Sequence, residues 1–287
     1  MEKPMVSVVV PTYNSATTLA ECLESVRGQS YSCIEIIIVD GGSTDATAAI
    51  AMQYEAKIIE QKSTAALARN IGTTNSSGKY VFFVDSDQIL SNSVVQECVR
   101  SCEESGAGMV IVPEIFVGEG FWGSCSAEWK NSYERVGEKY GTTMNILESE
   151  PRFFLKDQIV RTGMYNDRLV WGEDYDLYVR MRKMNVKETS CRSKIYHCER
   201  VSLREILLKI LRYGNSMPAY TSVAEQRILL PLIGHSVLTF KELMKERRED
   251  PAIVPGCAIL LGLKAYFFAF GLIVGSVSRV QEVDDSY

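Results

Sequence analysis

The sequence has only two histidines and no pair of cysteines at CxxC spacing, so it lacks the ligand clusters of structural zinc sites. Cys22, Cys98 and Cys102 fall on apolar helical faces, where cysteine is expected to be a small buried hydrophobe. No secretory signal precedes the first apolar run, and the reducing cytoplasm is the expected setting. The formal net charge of −5 also argues against nucleic acid as a partner.

What the first 112 residues do contain is a repeated alternation of short β-branched runs and amphipathic stretches. The runs are almost continuously apolar, which is typical of parallel strands covered on both faces. The stretches between them space apolar residues as helices do, and Asn14 or Ser15 is the expected N-cap of the first helix. The pattern predicts an α/β fold with a Rossmann-like, mostly parallel sheet flanked by helices. The predicted strands are Val6–Val10, Ile34–Val39, Lys57–Glu60, Tyr80–Val84 and Met109–Val112.

Acidic residues stand at the ends of two predicted strands and at the start of a later helix. VDGGSTD contains Asp40, FVDSDQ contains Asp85, Ser86 and Asp87, and WGEDYD covers Trp171–Asp176. Because an open α/β sheet gathers ligands at the carboxyl ends of its strands, these carboxylates are expected to converge. Two aspartates one residue apart suit an oxygen-ligated Mg²⁺ or Mn²⁺ that also contacts a diphosphate. The sequence therefore points to an enzyme that uses nucleoside-diphosphate sugars.

Other positions near these strand ends could contact a nucleotide, each with a simpler alternative. The turn after the first strand exposes Tyr13 for a nucleobase, although an ordinary strand-to-helix turn explains this piece better when it is taken alone. Asp40 can accept hydrogen bonds from a base or a ribose, or it can cap the next helix. Arg69, in ALARNIG, can neutralise a diphosphate bidentately, and a solvated surface arginine is an equally good interpretation.

Five segments carry a resemblance to a known family: VSVVVPTYN, IIIVDGGSTD, ALARNIG, FVDSD and GEDYDLYVR. In order and spacing the chain resembles the family 2 inverting glycosyltransferases from Met5 to Tyr213, and the resemblance implies the GT-A fold. Its implied nucleotide-binding residues are Pro11, Thr12, Tyr13, Asp40, Arg69, Asp85 and Ser86. The resemblance further implies that Asp87 is the principal metal ligand.

The same resemblance assigns residues on the acceptor side. Glu173 and Asp174 match the family's Glu-Asp motif, which implies that Asp174 is the catalytic base and that Glu173 contacts a sugar. His197 matches a histidine found in many members, implying a further contact to the metal or the diphosphate, with a purely structural histidine as the alternative. Lys209 stands where processive members have the Gln of their Gln-x-x-Arg-Trp pattern, so transfer of a single sugar is expected.

The character of the chain changes after Ser202. Leu203–Arg212 has the pattern of a basic amphipathic helix, which suits either an anionic membrane surface or a protein core. Ile253–Val277 carries a single charged residue, Lys264, over 25 residues. That length predicts a helix that crosses a bilayer, and a helix packed flat in the interface or against other subunits is the alternative. Basic residues within Lys241–Arg248 place the preceding part of the chain in the cytoplasm by the positive-inside rule.

These features predict a GT-A catalytic domain over residues 1–200, an amphipathic helical region over 201–250, and a transmembrane helix with a short tail over 251–287. The predicted protein is a single-pass cell-membrane enzyme with its catalytic domain in the cytoplasm. It would transfer one sugar from a nucleoside-diphosphate sugar to a hydroxyl or phosphate of a glycan or lipid-linked acceptor, with Mg²⁺ or Mn²⁺ as cofactor.

Two other hypotheses fit parts of the pattern. A nucleotidyltransferase shares the acidic metal site, but it would carry a Gly-rich loop with Arg or Lys after the first strand, and PTYNSATT lacks one. A noncatalytic membrane scaffold could bind nucleotide sugars without turnover. The presence of Asp40, Asp85, Asp87 and Asp174 together argues against the scaffold.

Overall fold

The computed structural model of the protein describes residues 3–140, 151–223, 238–245 and 253–284. The chain forms two compact units. The first comprises Met1–Ile115, Ser149–Asp167 and Glu173–His197, and the second comprises Phe116–Glu148, Arg168–Gly172 and Cys198–Tyr287. The predicted division into residues 1–200, 201–250 and 251–287 follows sequence position and stays a prediction, whereas the compact units group residues 116–148 with the C-terminal helices.

The strands and helices are numbered in chain order. The strands are β1 (Val6–Thr12), β2 (Ile34–Asp40), β3 (Lys57–Glu60), β4 (Tyr80–Phe83), β5 (Gln88–Leu90), β6 (Met109–Ile111), β7 (Glu114–Gly118), β8 (Pro151–Leu155), β9 (Glu188–Ser190) and β10 (Ile195–Glu199). The helices are α1 (Leu19–Arg27), α2 (Thr47–Met52), α3 (Ala65–Thr74), α4 (Val94–Ser105), α5 (Gly120–Tyr140), α6 (Lys156–Arg161), α7 (Glu173–Lys183), α8 (Leu203–Val223), α9 (238–245) and α10 (Ile253–Asp284).

A seven-stranded sheet of order β3-β2-β1-β4-β8-β6-β9 organises the first unit. β1 pairs in parallel with β2 and β4, β2 pairs in parallel with β3, and β6 pairs in parallel with β9. β8 runs antiparallel to both β4 and β6. The predicted mostly parallel sheet is therefore confirmed, with two strands that the sequence pattern did not reveal, β8 inserted between β4 and β6 and β9 at the edge.

The sheet is buried on both faces because successive side chains of a strand point to opposite sides. In β1, Val6, Val8 and Val10 belong to one apolar cluster and Val9 belongs to the other. Cys22, Cys98 and Cys102 are buried in the first of these clusters, as their helical spacing predicted. Continuous apolar runs thus reflect a sheet that is covered by helices on each side.

The first helix begins later than the sequence suggested. α1 starts at Leu19 with Thr18 as its N-cap residue, so the expected cap at Asn14 or Ser15 is wrong. The backbone carbonyl of Ser15 accepts hydrogen bonds from the amides of Thr18 and Leu19. The side chain of Asn14 accepts a hydrogen bond from the amide of Thr44. Side chains that can cap a helix can equally bond a neighbouring loop, which accounts for the difference.

The second unit contains the C-terminal helices. Cys125 of α5, Ile206 of α8, Leu243 of α9, and Cys257 and Leu260 of α10 form its buried apolar cluster. The segment Ile253–Ser276 of α10 has 24 residues, a mean hydropathy of 2.1 and only 17% of its most apolar window buried. Within the described residues, this is the one helix long and apolar enough to cross a membrane. A shorter apolar run of the sequence, Ile228–Phe240, lies mostly outside the described residues.

Candidate active site

The loops that follow β1 and β2 are held together by hydrogen bonds. The amide of Gly41 donates to the carbonyl of Thr12 at 2.8 Å. The amide of Ser15 donates to Oγ1 of Thr47, also at 2.8 Å. Asn14 takes φ 49°, in the left-handed region that asparagine tolerates, and this conformation lets its amide donate to Oγ of Ser43. The two strand ends therefore form one fixed rim.

The residues predicted to bind a nucleoside sit on this rim in different environments. Pro11 is partly buried and Thr12 is buried, whereas the Tyr13 side chain is 66% exposed and free to contact a flat ligand. Ser86, in the loop after β4, donates a hydrogen bond to Oγ of Ser15 at 2.9 Å. Three strand-end loops thus meet here, as the acidic pattern predicted.

Asp40 is almost completely buried, with 3% of its surface exposed. Its carboxylate accepts hydrogen bonds from the hydroxyls of Thr12 and Ser43 at 2.9 and 2.5 Å. It also accepts from the amides of Gly42 and Ser43 at 3.2 and 2.8 Å. Burial would raise the pKa of Asp40, but these hydrogen bonds outweigh it and hold the pKa below its usual value. Asp40 therefore organises the turn, and a nucleoside contact through it stays a prediction.

Arg69 of α3 joins residues that are distant in sequence. Its guanidinium lies 2.9 Å from Asp85, 3.2 Å from Glu173 and 3.5 Å from Asp174. The residue is only 4% exposed, and its buried Nε atom has no hydrogen-bond partner among the described residues. The ring of Tyr165 lies 5.3 Å from the guanidinium carbon. Arg69 is therefore the buried centre of an ion-pair network, and the surface-arginine alternative is excluded.

Two members of this network escaped the sequence analysis. Arg152, on the antiparallel strand β8, lies 3.0 Å from Asp85 and 2.6 Å from Glu114. Burial would raise the pKa of Asp85, but Arg152 and Arg69 hold it well below its usual value. Burial would likewise raise the pKa of Glu114, yet Arg152 and His197 lower it to about 2. Glu114 stands just after a predicted strand, the same signal that marked the other acidic residues, whereas the strand carrying Arg152 was not foreseen.

His197 connects this network to Asp87. Its Nε2 lies 3.2 Å from the Asp87 carboxylate and its Nδ1 lies 3.3 Å from Glu114. The antiparallel pairing of β10 with β5 sets this position by placing His197 opposite Gln88. Burial would lower the pKa of His197, but hydrogen bonds with Asp87 and Glu114 raise it to about 9. The two predicted metal ligands are therefore neighbours.

Glu173 and Asp174 occupy the first turn of α7, where negative charge is stabilised by the helix dipole. Burial and the charge of Asp174 raise the pKa of Glu173 to about 7, and Arg69 opposes that shift. The hydroxyl of Tyr165 hydrogen-bonds to Asp174. Farther along the helix, Arg180 pairs with Asp176 at 2.8 Å, as the i,i+4 spacing predicts, and this pair lies outside the network.

The net charge of the site side chains indicates whether the site could hold a metal ion. Among these neighbours, five carboxylates face two guanidiniums and one imidazole, which leaves a surplus of negative charge. The side chain of Asp87 remains 41% exposed. Within the described residues, no three His, Cys, Asp or Glu side chains form a group that could hold a metal unaided. The residues fit a divalent cation that takes its remaining ligands from water and a diphosphate, as Mg²⁺ commonly does.

The N-terminal half of the chain matches a known protein family. A family model described as Glycosyl transferase family 2 matches residues 7–159, more than half of the 287 residues. The chain belongs to glycosyl transferase family 2. The matched segment covers the rim and the residues Arg69, Asp85 and Asp87, and it ends before Glu173.

Curated relatives of this family 2 protein match it in part. It is 37% identical over 114 residues to glycosyltransferase GlyG of Streptococcus pneumoniae, a match covering 37% of this chain and 38% of GlyG. It is 29% identical over 181 residues to glycosyltransferase AglE of Haloferax volcanii, covering 60% of this chain and 59% of AglE. The matched part thus spans less than two thirds of either relative.

Solved structures resemble the chain over nearly its whole length. The mannosyltransferase PcManGT from Pyrobaculum calidifontis, in complex with GDP-Man and Mn²⁺, has a TM-score of 0.58 at 17% identity and covers all of this chain and 82% of its own. S. aureus TarS 1-349 in complex with UDP-GlcNAc has a TM-score of 0.54 at 17% identity, covering 96% and 92%. At this identity the likeness concerns the fold, and the GT-A fold expected from the resemblance is confirmed.

Proposed function

We propose that the protein is an inverting glycosyltransferase that moves one sugar from a nucleoside-diphosphate sugar to a hydroxyl or phosphate acceptor. The observation that carries this proposal is the meeting of Asp174, from a late helix, with Asp85 of the strand-end rim through the shared partner Arg69. A donor-side carboxylate and an acceptor-side carboxylate are thereby held in one network. Neither a scaffold nor a nucleotidyltransferase needs that arrangement.

Asp174 is the proposed catalytic base. Its side chain is 22% exposed, so an acceptor hydroxyl can reach it, and Arg69 and Tyr165 fix its orientation. The carboxylate takes the hydroxyl proton while the acceptor oxygen forms a bond to the anomeric carbon. The bond from that carbon to the diphosphate oxygen breaks, and the nucleoside diphosphate leaves with the electron pair. Attack from the face opposite the leaving group inverts the anomeric configuration.

Glu173 has a different proposed role. It is more buried than Asp174, and its pKa of about 7 makes its carboxyl partly protonated near neutral pH. A protonated carboxyl can donate a hydrogen bond to a sugar hydroxyl, whereas an ionised one can only accept. Glu173 therefore suits sugar contact better than proton abstraction from the acceptor.

The donor would bind along the rim. The exposed ring of Tyr13 is available to a nucleobase, and the turn ordered by Asp40 and Thr12 offers fixed backbone groups to a ribose. Pro11 shapes the end of β1, and Ser86 and Asp85 line the neighbouring loop. Because the site already has surplus negative charge, a diphosphate needs a cation. Asp87 and His197 would hold Mg²⁺ or Mn²⁺, which when bound stabilises charge on the leaving diphosphate.

Membrane attachment through the second unit follows from α10. Its 24-residue apolar segment has more exposed apolar surface than a soluble helix normally leaves open. The catalytic part would work at the cytoplasmic face of the cell membrane on a lipid-linked or glycan acceptor. The single crossing predicted from the sequence remains a prediction.

The test combines donor binding with turnover. Calorimetry with a panel of nucleoside-diphosphate sugars, with and without Mn²⁺, identifies the donor. Release of the nucleoside diphosphate, with water or a polyprenyl phosphate as the acceptor of the sugar, then reports turnover. Asp174→Asn should bind the donor as the wild type does while turnover falls by about 100-fold or more, the usual contribution of a general base.

Two controls keep this test specific. Asp157→Asn changes an exposed carboxylate at the start of α6 and should leave both quantities unaltered. Asp87→Ala should weaken the Mn²⁺-dependent part of donor binding. Wild-type turnover in Asp174→Asn would show that Asp174 is not the base. A folded wild-type protein that binds a donor but never releases the nucleoside diphosphate would instead support the hypothesis of a noncatalytic scaffold.

A further inference from the structure

Helices α8 and α10 of the second unit are in direct backbone contact. A Cβ atom added to Gly214 would lie 2.2 Å from the carbonyl oxygen of Phe268. One added to Gly271 would lie 2.3 Å from the carbonyl oxygen of Leu211, and one added to Gly275 would lie 2.2 Å from that of Asn215. Small residues permit such close approach between helices. The apolar helix α10 therefore uses its glycines to hold α8.

The two helices run side by side in the same direction. Ile206 lies in one buried cluster with Cys257 and Leu260, and farther along Leu211 and Asn215 contact the segment Phe268–Gly275. Residue numbers rise together along both helices, so α8 accompanies α10 over most of its apolar length. If α10 crossed a bilayer, α8 would therefore enter the bilayer beside it.

The beginning of α10 is covered by α5. A Cβ atom added to Gly256 would lie 2.5 Å from the ring of Phe121, and Cys257 donates a hydrogen bond to the carbonyl of Cys125. Lys264, at the middle of the apolar segment, interacts electrostatically with Lys130 of α5, Glu199 of β10 and Lys209 of α8. The middle of α10 thus lies beside several charged groups.

These contacts conflict with a helix that crosses the bilayer. With Ile253–Ser276 as the span, Lys264 would be near the bilayer centre and would take Lys130 and Lys209 to a similar depth. Arg212, exposed on α8 between two contact residues, would enter the hydrocarbon too. Insertion scales assign about 2.5–3.5 kcal/mol to each Lys or Arg at the centre of a span. Several such charges outweigh the apolar gain of one helix.

The opposite face of α10 is apolar, and among the described residues it is largely exposed. Ile259, Tyr266, Phe270 and Ile273 are 55, 66, 49 and 60% exposed, and their spacing of seven, four and three residues places them along one stripe. On the accompanying helix, Arg204 and Arg212 are exposed. An exposed apolar stripe on one helix, with exposed cations on the helix packed behind it, suits the interface of an anionic membrane.

We infer that α10 lies in the plane of an anionic membrane surface, with the stripe Ile259, Tyr266, Phe270 and Ile273 in the acyl boundary, and that Arg204 and Arg212 of α8 attract the lipid headgroups. The inference rests on the proposed membrane location. It differs from the predicted transmembrane helix in that α10 is attached to one face of the membrane and does not cross it. The beginning and the end of the chain then stay on the same side of the membrane.

The first test is the side on which each end of the chain is found. The full chain, carrying different epitope tags at its two ends, is expressed in bacterial cells, and intact spheroplasts are treated with external protease. Both tags should be protected in spheroplasts and both should be cleaved after lysis. Cleavage of the C-terminal tag from outside, with the N-terminal tag protected, would establish a crossing and overturn the inference.

The second test measures binding of the purified full chain to phosphatidylcholine vesicles with and without about one-third phosphatidylglycerol. The double variant Ile259→Glu, Phe270→Glu should lower the vesicle-bound fraction at least about tenfold, because two apolar side chains lose their burial in lipid. Met52→Glu alters a side chain on α2 that is 67% exposed, and it should bind as the wild type does.

A charge variant separates the two parts of the inference. Arg204→Gln, Arg212→Gln should reduce binding to the anionic vesicles about 30-fold, since each cation near the surface is worth about 1 kcal/mol. Binding to pure phosphatidylcholine should be unaffected. Circular dichroism verifies that each variant is folded, and none of these readouts requires a donor or turnover.

Two further results would count against the inference. Wild-type binding by the folded Ile259→Glu, Phe270→Glu variant would show that the stripe does not contact lipid. A wild-type dimer that ignores vesicles, and that this variant converts to a monomer, would identify a second copy of the chain as the occupant of the stripe.

Discussion

In the first unit, apolar side chains lie on both faces of a sheet, and Val8 and Val9 of β1 are completely covered by protein. In the second unit, the most apolar helix leaves Tyr266 and Ile273 more than half exposed. Similar hydrophobicity therefore serves two purposes, enclosing a core in one region and presenting a surface in the other. The difference lies in the neighbours of each apolar run, which its own composition does not specify.

Arginine side chains also differ between the two units, since those of the site are largely buried and those of α8 are exposed. The first unit buries Arg69 among carboxylates, and this network occupies the rim where its strands end. In the second unit, Arg204 and Arg212 are exposed. A buried charge must be matched by partners, whereas an exposed one remains solvated, so substitutions of arginine should differ greatly in cost between the two settings.

The largest expected effect is that of Arg69→Ala. Removal of this guanidinium leaves Asp85, Glu173 and Asp174 partly buried without their shared cation, and breaking a buried pair costs about 3–5 kcal/mol. The free energy of unfolding, measured by urea denaturation in mild detergent, should fall by that amount. Arg100→Ala removes an exposed arginine of α4 and should change it by less than about 0.5 kcal/mol. Equal losses in the two variants would contradict the buried network.

Glycine substitutions give the next largest effects and compare packing in the two units. A Cβ atom at Gly72 of α3 would lie 2.2 Å from Cγ1 of Val9, a stiff side chain in the centre of the sheet. Gly72→Ala and Gly271→Ala should each lower the free energy of unfolding by about 1–3 kcal/mol through overpacking. Gly262→Ala meets nothing within 4 Å and should raise it by up to about 1 kcal/mol. A neutral Gly271→Ala would mean that the α8–α10 contact is loose.

The third expected effect is a pH dependence that originates in the first unit. The pKa of Glu173 is raised from 4.5 to about 7, so the folded state binds this proton more tightly than the unfolded state does. Its contribution to stability is therefore present below about pH 4.5 and is lost as the pH rises through about 7. Glu173→Gln should become progressively more stable relative to the wild type between pH 5 and pH 7.5 in urea titrations. A constant difference would show that Glu173 is not perturbed.

The sequence predicted β1, β2, β3, β4, β6 and the acidic rim because all of them depend on local patterns. Continuous apolar runs mark covered parallel strands, and Asp40 and Asp85 follow such runs directly. It did not predict β8, because antiparallel insertion between β4 and β6 depends on a partner that local composition does not identify. Arg152, which arrives on that strand, was missed for the same reason.

The C-terminal helices illustrate a second kind of ambiguity. Length and hydropathy of Ile253–Ser276 satisfy the requirement for a bilayer span. The proposed interfacial position depends instead on the contacts of Gly271 and Gly275 with α8 and on the charges around Lys264. These are tertiary facts, so the sequence left both interpretations open.

The strand order also has a consequence during synthesis. When the ribosome has released the first 115 residues, β1 to β4 already have partners among themselves, whereas β6 pairs only with β8 and β9, both still to come. Since nascent domains fold as chain emerges at about 5–20 residues per second, an apolar strand edge stays open for several seconds. Pairing of β8 with β4 and β6 closes that edge and brings Arg152 to Asp85. Until β8 has been synthesised, the nascent chain therefore lacks both a complete sheet and one of the two arginines that neutralise Asp85.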